Sequence, residues 1–379
     1  MELKPIAWTV LWPTLLALAL CGCKRGSSAR EAPITGARSD PPVTMRARWQ
    51  PGERYVYRAE VITSSQMPRR NTGKIVRADT TLGQDLAFTV TNLVSEGSRV
   101  LQMEILAVQM ETSRDDGVMM NFDSDNKTIF AEDNPAAERL QKLVGARLAF
   151  HLSPENGITR VDGGRELTDR LSANNNSVRG MAGNLLGRFF SPQFFKELVE
   201  MGMLPKDPVK IGETWSVTRP ANTGLPGTGA AVAITYKFRG WQMHDGTNCA
   251  RLEFSGTFKP NTDSRTNQSL LRKLTAPANQ PALETGTLTG QSWFSPELGL
   301  AIETVCDQSF TTKSTTVRRT RVAAGTNNLA VIDPVSGTNA PGPTNPPPPA
   351  SVTSATNTTT TTIQQHTSLK LVEVEPLEK

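Results

Sequence analysis

The sequence is poor in the residues that do chemistry. Its 379 residues include three histidines, four cysteines and three tyrosines. The histidines, His151, His244 and His366, stand far apart, and no His-Glu-x-x-His or Cys-x-x-Cys spacing occurs, so the ligand set of a closed zinc site is missing. Gly-x-Ser-x-Gly is absent as well. The glycine-rich run from Gly224 to Gly229 is broken by Pro226, and a strand-like segment follows it instead of a phosphate-cradling helix. Charged residues make up 20% and the net charge is only +5, without the clustered basic patch that nucleic-acid binding requires. Only Ile6–Leu20 is apolar enough to enter a membrane, which excludes a multispan protein. At 15 residues it falls short of the ~20 that a spanning helix needs.

What is present at the N-terminus points to export. Lys4 followed by the apolar run reads as a secretion signal. Leu20-Cys21-Gly22-Cys23 then resembles the lipobox of bacterial lipoproteins, with an apolar residue three before and a small residue directly before the acylated cysteine. Cys23 fits this pattern better than Cys21. The resemblance implies a signal peptide at 1–22, a lipidated Cys23 and stable membrane attachment through several acyl chains. Lys24, being other than Asp, favours the outer membrane, facing the periplasm. Residues 23–45, rich in Ser, Ala, Pro and Arg, read as a flexible tether. An oxidising envelope would permit a disulfide between Cys249 and Cys306. Strand alternation sets Cys249 with Arg251 and Glu253 but Cys306 with Leu300 and Ile302, so bridged and separate thiols both stay open.

From Trp49 onward the pattern has period two, the signature of strands. Tyr55, Tyr57, Ala59 and Val61 alternate with polar neighbours, as do Leu86, Phe88 and Val90, then Leu101, Met103, Ile105 and Ala107. Strands resume at 213–218, 230–241, 248–258, 286–294 and 299–312. Asn134, Pro135 and Gly145 predict a helix over 135–144. Residues 176–204 read as two helical pieces, the second capped by Ser191-Pro192 and ended by Gly202. The expected division is an N-terminal β-rich unit at 46–175, a helical connection at 176–204 and a C-terminal β-rich unit at 205–322. A Pro/Thr-rich disordered insertion follows at 323–365. A returning strand lies within 366–379 and pairs with 305–322.

Two echoes suggest an internal duplication. Gly52-Glu53-Arg54-Tyr55 matches Gly212-Glu213-Thr214-Trp215, and Ser153-Pro154-Glu155-x-Gly157 matches Ser295-Pro296-Glu297-x-Gly299, in the same order. Convergent turn chemistry gives the same residues, since Pro and Gly each suit fixed turn positions. The expected fold class is mainly β: two antiparallel curved sheet units, half-barrel-like, with a few packed helices.

Four segments resemble a family of uncharacterised bacterial envelope lipoproteins, a domain of unknown function. They are Trp49-x-Pro51-Gly52-x-x-Tyr55, Phe122-Asp123-Ser124-Asp125, Phe150-x-Leu152-Ser153 with Gly157, and Val209-x-Ile211-Gly212-Glu213-Thr214-Trp215-Ser216. The similarity spans roughly 46–320 and implies no catalytic residue.

The remaining motifs read as structure. Asp123 to Lys127 has the opening of a calcium loop but carries Thr128 and Asn134 where glycine and a bidentate Glu belong. Ser124-x-x-Lys127 lies in a polar turn, the wrong setting for a nucleophile. His151 reads as a partly exposed strand residue. No catalytic residue, metal site or cofactor is expected. The sequence therefore points to a non-enzymatic, lipid-anchored envelope protein holding a hydrophobic ligand or lipid between sheet and helices. Met181, Met201 and Met203 suit an adaptable groove, or complete the core. A structural module binding an envelope protein partner, and an unrecognised envelope hydrolase, are the alternatives.

Overall fold

The structure, a computed structural model, describes residues 32–69, 72–93, 98–115, 117–126, 135–172, 187, 189–221, 230–260, 282–321 and 352–377. Period-two stretches form strands as expected. In β1 (Glu53–Pro68), Tyr55, Tyr57, Ala59 and Val61 are buried while Arg58, Glu60 and Ile62 face out. Along the first meander follow β2 (Ile75–Leu93), β3 (Arg99–Arg114), β4 (Gly117–Asp123), β5 (Arg147–Leu152) and β6 (Ile158–Asp162). The second comprises β7 (Thr214–Ala221), β8 (Ala230–His244), β9 (Thr247–Pro260), β10 (Ala282–Ser295) and β11 (Leu300–Arg321), and β12 spans Val352–Pro376.

All twelve strands join one antiparallel sheet, in the order β6-β5-β3-β2-β1-β12-β11-β10-β9-β8-β7, with β4 on the same edge of β3 as β5. The two sheet units expected from the sequence are thus two meanders within a single open sheet. Each begins after a glycine in the left-handed region, Gly52 at φ 85 and Gly212 at φ 90. In each, a Ser-Pro-Glu-x-Gly turn joins the last two strands. Both turns grip the same segment: Asn156 Nδ2 donates to the Ala47 carbonyl, and the Arg48 N–H donates to the Gly299 carbonyl.

β12 fuses the meanders, pairing β1 on one side and β11 on the other. It begins at Val352, well before 366, so the Thr358–Thr362 run expected to be disordered is ladder. Thr361 and Thr362 lie opposite Thr312 and Thr311. A run of β-branched residues is stiff at χ1 and suits a pleated strand. Residues 322–351 lie outside the described residues.

The segment expected to be a tether also differs. Thr35 bridges Trp241, Val43 bridges Val209, and Met45 and Trp49 are buried. From Ala32 onward the chain is fastened to the body by apolar contact and backbone hydrogen bonds.

Three helices lie among the described residues, α1 (Pro135–Leu143), α2 (Gly164–Ser172) and α3 (Pro192–Glu200). α1 matches expectation and buries Leu140 and Leu143. α2 has only Leu167 and Leu171 as apolar anchors, too thin a stripe to stand out. α3 starts at Ser191, whose Oγ accepts from the Phe194 N–H at 3.1 Å. It ends at Met201, at φ 44, one residue before the glycine expected to stop it. The first helical piece, around 176–186, lies outside the described residues.

One main core draws on both meanders, with Trp49, Phe88, Phe150, Phe190, Phe195, Phe238 and Phe294 in one contiguous cluster. The buried Tyr57 hydroxyl of β1 donates to the Ala301 carbonyl of β11 at 3.0 Å, reaching past β12. Tyr57→Phe leaves that carbonyl without its donor and should cost about 1–3 kcal/mol. Chemical denaturation should show a lower midpoint at unchanged slope; an unchanged midpoint would mean that the bond contributes nothing to joining the meanders.

Candidate ligand-binding groove

Which residues face inward in the second meander is set by a bulge. Trp293 pairs with Glu303 but Phe294 pairs with Ala301, leaving Ile302 as the extra residue in β11. A bulge reverses strand phase. Ala301, Thr304, Cys306 and Gln308 therefore line the inner face, while Ile302 turns outward to pack with Trp293 and Cys249.

This decides the cysteine question. Cys249 sits on β9 and Cys306 on β11, with β10 between them. Two strand spacings amount to about 10 Å, beyond the ~7 Å Cα separation a disulfide spans. The side chains also point to opposite faces. No disulfide joins them, which corrects the candidate bridge. Burial pushes the Cys249 thiol up to about 12, so it stays protonated and inert.

Between the inner face and α3 runs a cavity of about 210 Å³. The helix presents Phe194, Glu197, Leu198 and Met201 to it, an i, i+3, i+4, i+7 stripe. Trp215 pins the segment after α3: its Nε1–H donates to the Met203 carbonyl at 2.9 Å, and its ring stacks on Tyr236 at 5.7 Å and 15°. One end of the cavity is aromatic, where Trp49, Tyr57 and Phe88 meet edge-to-face or tilted with centroids 5.2–6.4 Å apart. Polar groups also line the cavity, among them Arg219 on β7, Gln308 on β11 and Gln365 on β12.

Two features of the lining carry chemical information. The Trp49 Nε1–H is buried without an acceptor among the described residues, a donor open to a ligand or water oxygen. Burial raises the pKa of Tyr57 and Tyr236 above the usual phenol range, keeping both as neutral donors.

On the outer face, His244, Asp245 and Glu303 bring donor atoms within 4.8 Å of one another. These groups already have partners. His244 Nε2 meets Glu303 Oε2 at 2.7 Å, and its ring stacks on Trp293 at 4.1 Å. Lys370 Nζ holds Asp245 Oδ2 at 2.7 Å. A cation entering here would have to displace the lysine, so the cluster works as an ion network clamping the β8–β9 turn to β12.

The other residues singled out in the sequence fall as follows. Cys23, Met181 and the 224–229 glycine run lie outside the described residues. Met201 and Met203 line the cavity. His151 pairs with Asp162 at 2.8 Å on the outer surface, and Arg160 joins the same carboxylate. Asp123 closes an Asx turn onto the Asp125 N–H at 3.0 Å, while the Ser124 Oγ accepts from the Val108 N–H. Sequence reasoning missed Trp49, Glu197 and Arg219 as groove residues. The available signal was phase: Arg219 follows Trp215 and Val217 on the buried side of β7.

Sheet and groove define a class of protein: an open antiparallel sheet roofed by a helix over an apolar cavity. The chain belongs to DUF6263, a family of unknown function, whose match covers residues 96–290. No curated protein matches the sequence. Among solved structures it is similar to lipovitellin, in a study of lipid–protein interactions, at 12% identity and a TM-score of 0.42. That match covers 88% of this chain and 26% of lipovitellin, so the chain spans about a quarter of that protein. A DUF1329 family protein from Desulfovibrio piger matches at 9% identity and a TM-score of 0.13, over 84% of this chain and 86% of its own. No helix among the described residues is long and apolar enough to cross a membrane.

The Lys370 ammonium holds the Asp245 carboxyl below the usual carboxylate range. A carboxyl lowered on folding adds stability above its unfolded pKa, near 3.9, and loses it as pH falls through the folded value. Both groups are about half exposed, so the contribution should stay below about 1 kcal/mol. Asp245→Asn should flatten the stability–pH curve below about pH 4. A variant curve that superimposes on the parent over that range would rule the pair out as a clamp.

Proposed function

We propose that this protein is a non-catalytic, lipid-anchored envelope protein that holds the acyl chain of a lipid in the groove between the sheet and α3. The observation that carries this reading is the apolar cavity itself. It is lined from the inner faces of both meanders, walled mainly by aromatic and aliphatic side chains, with a few polar groups among them. That is the usual make-up of a small-molecule site. Among the described residues its lining brings one carboxylate and one guanidinium but no histidine. Acid–base chemistry would want a titratable pair within hydrogen-bond reach of the substrate.

Anchoring at Cys23 fits the geometry of the body. The Ala32 carbonyl accepts from Gln242 Nε2 beside the β8–β9 turn, which fixes where the chain leaves the sheet. Eight residues separate Cys23 from Ala32, enough to reach about 30 Å. The body would then sit within a small-domain diameter of the bilayer, close enough to exchange lipid with it.

Cys306 offers a readout of occupancy, because it lines the groove while Cys249 is sealed away. Alkylation of the purified full chain by N-ethylmaleimide, mapped by peptide mass spectrometry, should modify Cys306 and spare Cys249. Added oleic acid should slow the Cys306 reaction at least several-fold; an unchanged rate with oleic acid would refute the groove as the binding site.

The anchor has its own test. Cells grown with labelled palmitate should incorporate label into the parent chain and not into Cys23→Ser. Equal labelling, or none in either, would overturn the anchor.

A further inference from the structure

The groove lining holds two opposite charges that do not pair with each other. Glu197 interrupts the apolar stripe of α3, between Phe194 and Leu198, and Arg219 follows Trp215 and Val217 on the buried side of β7. Both are half-buried, and no ion pair within 4.0 Å joins them. Among the described residues neither has another ion-pair partner; Glu197 accepts only from Gln193 Nε2, at 3.1 Å. The Tyr236 hydroxyl feels both, Arg219 opposing and Glu197 reinforcing the effect of its burial. A charge turned toward an apolar lining with no counter-charge among the described residues is costly unless a ligand supplies one. Two such charges facing one cavity from different elements, held apart, form a template: a cation on one wall and an anion on the other.

We infer that the groove selects a zwitterionic phospholipid. Its phosphate pairs with the Arg219 guanidinium, its head-group ammonium donates to the Glu197 carboxylate, and its acyl chain runs toward Trp49, Tyr57 and Phe88. This deepens the acyl-binding reading and rests on it. Arg219 suits the role because a guanidinium offers a planar fork that two phosphate oxygens can accept from at once. A ligand with a lone anionic head would meet Glu197 as a like charge. One with no charge would leave both residues unpaired.

The test uses the unaltered full chain and the protection of Cys306 as its readout. Three single-chain probes are compared: lysophosphatidylethanolamine, lysophosphatidylglycerol and monoacylglycerol, all with the same acyl chain. Protection by the ethanolamine lipid should need about tenfold less ligand than the glycerol phospholipid, the factor expected for one extra charge-assisted hydrogen bond, and at least that much less than monoacylglycerol, which offers neither charge. In Glu197→Gln the ethanolamine and glycerol phospholipids should become equal. In Arg219→Gln lysophosphatidylglycerol should protect no better than monoacylglycerol, while the ethanolamine lipid keeps only the part of its advantage that Glu197 supplies. Equal protection by all three probes in the parent chain would overturn the head-group assignment while leaving the groove occupied. Protection by none of them, with oleic acid also without effect, would remove the acyl-binding reading itself. Should a variant fail to fold, the comparison of probes on the parent chain still decides.

Discussion

The pairing of β12 on both its edges is the constraint from which the rest of this molecule follows. Without it, β1 and β11 would each present a long row of unpaired backbone groups, a template for misassembly. With it, two meanders become one sheet, and their inner faces become one surface. The register is long on both sides, from Glu53↔Pro376 to Gln66↔Thr362 and from Glu303↔Lys370 to Arg321↔Val352. On the β1 side this pairing joins residues about three hundred positions apart in sequence, on the β11 side only tens. It closes last in entropy terms, because the loop that it closes spans most of the chain. Tyr57 reaching to Ala301 is a second stitch across the same seam.

Phase then decides what the shared surface holds. A strand without irregularities would carry Leu300, Ile302 and Cys306 on one side. The extra residue at Ile302 sends the side chains beyond it to the other face, which puts Cys306 in the groove and builds a small outer cluster of Cys249, Trp293 and Ile302. A second irregularity, between Phe238 and Gly240 in β8, lets Phe238 stay inside while Gln242 turns outward to accept from the Trp293 indole. Gly290 of β10 has a complementary role. A Cβ there would lie 2.3 Å from the Phe254 ring, so only glycine lets that ring lie against the strand and flank the cavity.

Much of the local structure was legible in the sequence, because local structure is written in local pattern. The alternation around Tyr55–Val61, the Ser191-Pro192 cap and the two Ser-Pro-Glu-x-Gly turns all describe what forms there. What escaped was set by partners far along the chain. Residues 32–45 look like a linker by composition, yet Val43 has Val209 waiting for it. The Thr358–Thr362 run has the low complexity of disorder, but β11 supplies a matching ladder. The bulge at Ile302 has no residue signature, so the face of Cys306 could not be read by alternation. Arg219 and Glu197 looked like ordinary charges on a strand and a helix until the sheet order brought their elements to one cavity.

The groove itself argues against its being a packing defect. Were it closed and empty, a space of about 210 Å³ would cost about 5 kcal/mol at ~24 cal/mol per Å³, a large share of the 5–15 kcal/mol that holds a typical domain together. The chain had simple means to fill it: larger aliphatic residues at Ala301 or Thr304, or closure of α3 onto β11. Instead, Trp215 clamps the end of α3 through the Met203 carbonyl and keeps the roof at its distance. Met201 and Met203, with unbranched and polarizable side chains, stand where an occupant of variable shape would press. On the proposed reading, a lipid chain entering this space would restore the missing dispersion contacts and touch both meanders through their common face. Ligand and β12 would then stabilise the same seam from different sides, one from within the groove and the other along the ladder.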